Sequence, residues 1–144
     1  MNVNDRFQQV IRVTDALVGP HIPNDLRGEW PDAQAAGVTF DNTAEWQWES
    51  HDIFVRRFDE QDDVELLIVI TSVSPFDGYS ELVDSLNAVV PDTIEIDITD
   101  DTPGAPVMAA MRFDIYDELT DADLSAEVAS LLDVTRRIAA TVCA

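Results

Sequence analysis

The sequence predicts an α+β domain whose helices pack on a mostly antiparallel sheet, in the order α-β-β-β-α-β-β-α, with room for a fourth strand before the middle helix. Apolar residues recur at helical spacing near both ends and in the middle of the chain, and they alternate with polar residues in the segments between. The links between successive strands are too short for the crossovers that parallel pairing needs. With 144 residues and 46% hydrophobic content, we expect a single domain over residues 1–144.

The first helix is predicted over residues 4 to 18, before Gly19-Pro20, where a helix should stop. Its apolar stripe consists of Phe7, Val10, Ile11, Leu17 and Val18. Residues 20–37 contain three prolines and two glycines without a periodic apolar pattern. This composition predicts a loop, and we expect the loop to be mobile because no pattern in it specifies regular pairing.

Period-two patterns predict three or four strands before the middle helix. Residues 38–40 and 46–48 alternate apolar and polar side chains, and residues 52–59 continue as a β-branched and aromatic run. Residues 64–73 are almost continuously apolar. Such a segment is typical of a central strand that is covered on both faces.

The middle helix is predicted to begin at Ser74-Pro75 and to end before Pro91. A serine cap, a proline at the first helical position and the carboxylate of Asp77 near the positive end of the dipole all favour a start there. The predicted buried stripe consists of Tyr79, Leu82, Val83, Leu86, Val89 and Val90.

The last part of the chain predicts a hairpin and a closing helix. Residues 94–98 and 107–115 alternate apolar and polar side chains, and the link at residues 100–106 makes them a hairpin. The closing helix begins at Thr120 with a weaker form of the capping box. Its predicted buried residues are Leu124, Val128, Leu131, Leu132, Ile138 and Val142.

The charge balance excludes several classes of partner. The formal net charge is −21, from 29 carboxylates and eight basic residues, all of which are arginine. Phosphate binding needs clustered cations, and the adjacent arginine pairs at residues 56–57 and 136–137 lie in a field that repels a polyanion. We therefore expect neither direct nucleic-acid binding nor attachment to an anionic membrane surface.

Cysteine usage and the N-terminal sequence predict a cytoplasmic protein. Cys143 is the only cysteine, so we expect no internal disulfide and a reducing compartment. The N-terminus lacks a basic region followed by an apolar run, and the longest apolar stretch, residues 66–70, is far shorter than a membrane span. We expect neither secretion nor membrane anchoring.

No histidine pattern in the sequence predicts a catalytic or metal site. His51-Asp52 is the only adjacent imidazole and carboxylate, but neighbours in a strand point to opposite faces and would diverge. His21 has no partner close in sequence. A zinc site built from His21, His51 and Cys143 would lack the close ligand pair that anchors such sites.

Other motifs of catalysis or ligand binding are also missing from the sequence. The acidic runs at residues 59–63 and 97–101 do not follow calcium-loop spacing, and we expect them to be solvated turns. There is no G-x-S-x-G motif, and Cys143 lies at a chain end rather than in an electropositive pocket. We therefore expect a non-enzymatic protein without a cofactor.

Trp46 and Trp48 are the candidate partner-binding residues. At positions i and i+2 of a strand, their indole rings share one face. Two explanations stay open at this point: the rings pack in the core of this chain, or they form an exposed aromatic strip that anchors a protein partner. Their polar neighbours indicate one-sided burial but do not identify what covers that side.

From Trp46 to the C-terminus, about two thirds of the chain, the element order resembles that of the YbjN-type domains, whose fold is that of the type III secretion chaperones. The middle helix Tyr79-Ser-Glu-Leu-Val-Asp-Ser-Leu-Asn87, the hairpin at residues 94–115 and the start of the closing helix at residues 119–124 resemble the corresponding parts of the family. The family tends to carry a second asparagine shortly after the middle helix, where this chain has Val89-Val90-Pro91.

The resemblance implies a small non-enzymatic protein that forms a homodimer and holds a segment of another protein, as a secretion chaperone or as a regulator. An acidic surface would favour basic partners and accelerate their encounter. An alternative is an inhibitor whose carboxylates imitate nucleic acid and occlude a basic protein. In a third explanation the charge has no partner, since a carboxylate-rich, lysine-free surface also suits a salt-rich cytoplasm.

Overall fold

The computed structural model describes residues 1–23, 42–58, 60–71, 73, 79–98 and 105–143. In these ranges the chain forms three helices and five strands. In chain order they are α1 (Val3–Val18), β1 (Thr43–Trp48), β2 (His51–Arg57), β3 (Asp63–Ile70), α2 (Tyr79–Asn87), β4 (Glu95–Ile98), β5 (Val107–Asp114) and α3 (Asp121–Val142).

The described strands form one five-stranded sheet in the order β1-β2-β3-β5-β4, and every neighbouring pair is antiparallel. The predicted α+β class, element order and antiparallel pairing are confirmed. β3 lies in the middle of the sheet, as its apolar sequence predicted, and β4 pairs with β5 in the predicted hairpin. β1 and β4 are the two edge strands.

Several sequence predictions fall on residues outside the described ranges. They are the loop from residue 24 onwards, the alternating segment at residues 38–40, the start of the middle helix at residues 74–78, and residues 100–104 of the hairpin link.

One face of the sheet carries the apolar core. On β3 the side chains of Val64, Leu66, Ile68 and Ile70 are at most 1% exposed, and they form one buried cluster with the residues opposite them on β2 and β5. α1 packs over β1, β2 and β3 and lies against α3, which packs over β5. All six residues predicted to be buried on the closing helix are buried there.

Both long helices begin with a capping box, which uses a side chain and a backbone group at each position to satisfy otherwise free N–H groups. In α1 the box joins Asn2 and Asp5, and in α3 it joins Thr120 and Asp123, where the sequence predicted it. The Thr120 backbone N–H donates to the Asp123 carboxylate and lowers the pKa of that group.

Polar side chains on one face of α1 fasten this helix to the connection between β5 and α3. The buried Arg6 guanidinium donates to Gln9 Oε1 at 2.8 Å and to a backbone carbonyl of the connection. The Gln9 amide donates to the Leu119 carbonyl and to Asp121 Oδ1, both at 3.0 Å. Arg12 adds a surface ion pair to Asp121 at 2.8 Å. The helix is thus fixed by hydrogen bonds as well as by its apolar stripe.

Replacing Gln9 by alanine should lower the free energy of unfolding by about 2 to 3 kcal/mol, because it removes three hydrogen bonds, one of them to the buried Arg6 guanidinium. The matched control is Gln8→Ala, since Gln8 is exposed on the same helix and its loss should change stability by at most about 0.5 kcal/mol. Urea unfolding followed by circular dichroism measures both. Equal losses for the two variants would contradict the assigned role of Gln9.

Candidate protein-binding site at the sheet edge

β1 and β2 are joined by a tight turn at Glu49 and Ser50, whose φ angles are 49° and 68°. Positive φ at both central positions matches the twist of a hairpin, although residues with a Cβ adopt it at a cost. The turn pairs Trp48 directly with His51 across the two strands. We call Trp48, Glu49 and His51 the hairpin corner, which Arg136 of α3 contacts.

Arg136 covers the hairpin corner with two kinds of contact. Its guanidinium carbon lies 4.9 Å from the centre of the Trp48 ring. Its Nε and Nη2 donate to the Glu49 carboxylate at 2.9–3.2 Å. These hydrogen bonds lower the pKa of Glu49 below its ordinary value of 4.5 and raise the pKa of Arg136. The Arg136 guanidinium is therefore bound by the aromatic face of Trp48 and by the carboxylate of Glu49 at the same time.

His51 and Asp52 do not form a catalytic pair, because their side chains lie on opposite faces of the sheet. His51 is 7% exposed on the core face, with its ring centre 5.9 Å from that of Trp48. Its Nδ1 atom is buried and has no hydrogen-bond partner among the described residues. Asp52, on the other face, accepts a hydrogen bond from the Gln47 amide. The side chains of His51 and Asp52 therefore diverge, as strand geometry predicts.

Trp46 is a core residue. Its side chain is 1% exposed, and its indole N–H donates to Asp15 Oδ1 and to the Gly19 carbonyl, both at 3.0 Å. Of the two explanations left open by the sequence, core packing describes Trp46, which offers no surface to a partner. Trp48 is half-buried, so it is the tryptophan of the pair with accessible surface.

His21 has a partner that the sequence did not indicate. Gly19 ends α1 with a φ of 109°, a value that glycine adopts readily. The chain then turns back, so that the His21 backbone N–H and its Nδ1 both contact Asp15 Oδ1, at 2.9 and 3.0 Å. The imidazole meets the Trp46 ring edge-on, with 5.8 Å between centres. Because Asp15 Oδ1 also accepts the Trp46 indole N–H, this contact fastens the end of α1 to β1.

The outer edge of β1 is partly covered. The Ile22 N–H donates to the Glu45 carbonyl at 2.8 Å, which identifies Glu45 as a residue whose backbone groups point away from β2. Backbone direction alternates along a strand, so the N–H and C=O of Gln47 point outward as well. Among the described residues these two groups of Gln47 have no backbone partner. Within the described part of the chain, this end of the edge is open to pairing with another strand.

The outer edge of β4 is closed by a side chain. Asn87, the last residue of α2, donates from Nδ2 to the Ile96 carbonyl and accepts the Ile96 N–H at Oδ1, both at 2.9 Å. The next outward N–H, that of Ile98, is bound by the Asp97 carboxylate at 2.8 Å. The Asn87 amide thus takes the position that the peptide group of an added strand would need.

Across the face of the sheet opposite the core, a buried carboxylate is held between two arginines. Glu65 on the central strand is 7% exposed and pairs in register with Arg56 on one side and Arg112 on the other. Arg56 Nε donates to Glu65 at 2.9 Å, and Arg112 approaches the other carboxylate oxygen at 3.1 Å. Asp63 also pairs with Arg112, at 3.5 Å, so two carboxylates balance the charges of these two arginines.

The described residues contain no cluster of histidine, cysteine, aspartate or glutamate that could hold a metal ion. From the predicted acidic turns, Asp62 accepts a hydrogen bond from the Tyr116 hydroxyl at 3.2 Å and raises the pKa of Tyr116; residue 59 and residues 99–101 lie outside the described ranges. Burial raises the pKa of the Cys143 thiol, which makes it a weaker nucleophile at neutral pH.

Comparisons with known proteins identify the fold through solved structures. No protein-family model and no curated protein sequence matches the chain. The complex of ExsC with ExsE is similar over 92% of this chain and 90% of that chain, with a TM-score of 0.58 and 14% identity. The Yersinia pestis type III secretion chaperone SycH, in complex with a stable fragment of YscM2, is similar over 90% of this chain and 98% of that chain, with a TM-score of 0.51 and 12% identity.

The fold is that of a type III secretion chaperone. The chaperone-like architecture expected from the order of elements is therefore confirmed. Both neighbours are complexes with protein partners, so the nucleic-acid-mimic alternative gains no support from them. Among the described residues, no helix combines the length and the apolar content that crossing a bilayer requires.

Removing the Arg136 guanidinium should return the pKa of Glu49 toward 4.5, because the hydrogen bonds that lower it are lost. In the native chain this pair stabilises the fold above the ordinary pKa of Glu49, and its contribution disappears as the pH falls through the lowered pKa. NMR titration of the Glu49 carboxyl in Arg136→Ala measures the change. Arg137→Ala is the control, since Arg137 pairs with Asp133 instead; an equal shift in both variants would contradict the assignment.

Asn87→Ala should speed hydrogen exchange at the Ile96 amide and lower the free energy of unfolding by about 1 to 2 kcal/mol, because both outward groups of Ile96 lose their partner. Ser85→Ala, an exposed position on the same helix, is the control. Hydrogen exchange followed by NMR and urea unfolding provide the two readouts. Unchanged exchange at Ile96 in Asn87→Ala would show that the side chain does not close this edge.

Proposed function

We propose that this protein is a non-enzymatic, chaperone-like module that holds an extended segment of a partner protein at the outer edge of β1. The observation that carries the proposal is the difference between the two edges of the sheet. At β4 the outward groups of Ile96 are bound by Asn87, whereas at β1 the outward groups of Gln47 have no backbone partner in the described chain. The fold, shared with two complexes that contain protein partners, supports the same conclusion.

Strand addition is the mode of binding that an open edge provides. A partner segment would form main-chain hydrogen bonds to Gln47, which give affinity without regard to sequence, while neighbouring side chains select the segment. Trp48 follows Gln47 directly and retains accessible surface. We therefore keep Trp48 as a partner-binding residue and assign to Trp46 the task of holding β1 against the end of α1.

The electrostatic field of the chain selects for basic partners. A net charge of −21 attracts basic segments over a distance set by ionic strength and raises the rate of encounter. We further propose a cytoplasmic homodimer without a cofactor, in the role of a secretion chaperone or of a regulator of the YbjN type. Sedimentation analysis of the purified chain tests the dimer separately from partner binding.

Gln47→Pro should abolish capture of the partner while the fold remains intact. Proline removes the outward N–H and places a ring in the path of an added strand, and edge strands tolerate proline where the N–H does not pair inward. The measurement is affinity capture from the native lysate at low and at high salt, followed by identification of the retained protein and titration of that protein against each variant. We expect at least about a tenfold loss of affinity, which corresponds to about 1.4 kcal/mol.

Gln47→Ala is the matched control, since it keeps the backbone N–H and should bind like the native chain. A partner retained at high salt and lost only with Gln47→Pro supports strand capture. Equal binding by Gln47→Pro and Gln47→Ala would rule it out. A partner lost from every variant as salt rises would indicate binding by charge alone.

A further inference from the structure

We propose that the hairpin corner accepts an arginine side chain of the segment held at β1, and that Arg136 occupies this place when no partner is bound. The inference rests on the proposed function and adds the chemistry of the partner's anchoring side chain. It also gives the corner a second state, in which the guanidinium at Trp48 and Glu49 comes from another protein.

The contacts of Arg136 define what the corner binds. A guanidinium lies 4.9 Å from the centre of the Trp48 ring while two of its nitrogens donate to Glu49. A planar group with a fork of N–H donors suits this pair of acceptors better than a compact ammonium does. Nothing in these contacts depends on α3 as the source of the guanidinium, because they involve only its plane and its N–H groups.

Arg136 is held weakly enough to be replaced. The side chains of Arg136 and Glu49 are 54% and 48% exposed, and surface ion pairs and exposed cation–π contacts contribute little to stability. Asp133, one turn earlier on α3, also interacts electrostatically with Arg136 and offers it another carboxylate after displacement. The exchange therefore substitutes one guanidinium for another, and the displaced Arg136 would share Asp133 with Arg137.

His51 carries a buried polar atom beside the corner that Arg136 does not bind. This residue is 7% exposed, its ring lies against Trp48, and its buried Nδ1 has no hydrogen-bond partner in the part of the chain that the structure describes. Buried polar atoms normally have a partner. In the tautomer that carries its hydrogen on Nε2, Nδ1 is an acceptor. Arg136 does not donate to it, so a partner guanidinium would supply this N–H donor only by entering deeper than Arg136 does.

The position of the corner fits a segment bound at Gln47. Side chains of an added strand alternate between the two faces of the sheet, so every second one lies on the face of Trp48. The excess of carboxylates in this chain and its complete lack of lysine favour a cationic side chain at that place over an acidic one.

The test compares two short threonine- and valine-rich peptides that differ only in a central arginine or its neutral isostere citrulline. Isothermal titration calorimetry at fixed ionic strength gives the affinities, and the indole N–H signals in NMR spectra, assigned with Trp48→Phe, locate the contact. The arginine peptide should bind more tightly and shift the Trp48 signal. Arg136→Ala should increase its affinity about fivefold over that of Arg137→Ala, because the internal competitor is gone. Glu49→Gln should remove the preference for arginine over citrulline.

The outcomes separate this inference from the proposed function. If both peptides bind equally, and Gln47→Pro abolishes both, strand capture stands and the arginine site is refuted. An affinity that falls or stays constant in Arg136→Ala relative to Arg137→Ala also refutes it, since Arg136 then acts only in the fold or as a direct contact. If neither peptide binds the native chain or Arg136→Ala, both proposals fail together. Circular dichroism of each variant confirms that the fold is retained.

Discussion

Burial of one face of the antiparallel sheet under α1 and α3 is the interaction on which the rest of the structure depends. Because side chains alternate along each strand, a register that buries Ile53 and Ile68 also decides the face of every other residue on β2 and β3. It places Trp46 in the core and Trp48 at the rim of the same face. It also sends Asp52 to the opposite face from His51, which separates the only adjacent imidazole and carboxylate of the chain.

Arginine, rather than total charge, organises the polar contacts. Arg6 joins α1 to a distant connection, Arg56 and Arg112 bridge strands through a shared carboxylate, and Arg136 joins α3 to the β1–β2 turn. Each contact uses several N–H groups of one planar side chain, which a lysine cannot reproduce. Since eight arginines face 29 carboxylates, most carboxylates have no arginine to pair with and contribute to the long-range field instead.

The elements of the fold were predictable because burial imposes a period on each of them. Helical spacing was sufficient to predict α1 and α3, alternation the β4–β5 hairpin, and a continuous apolar run β3, while the capping box predicted the start of α3. The candidate site was predictable only in part. Trp48 could be singled out from its own strand, but its partner Arg136 comes from the far end of the chain. The contact between Asp15 and His21 depends on the turn at Gly19, and the role of Asn87 depends on where α2 ends beside β4; neither follows from periodicity.

The Asn87 amide at the end of α2 blocks one edge of the sheet, that of β4. A sheet with two open edges can pair with copies of itself at both edges and grow into a filament. A sheet with one blocked edge can pair with a copy of itself only at the other edge. In the proposed binding mode, the edge of the described sheet that is left for a partner segment is therefore the one at Gln47. A single amide side chain, that of Asn87, sets this limit.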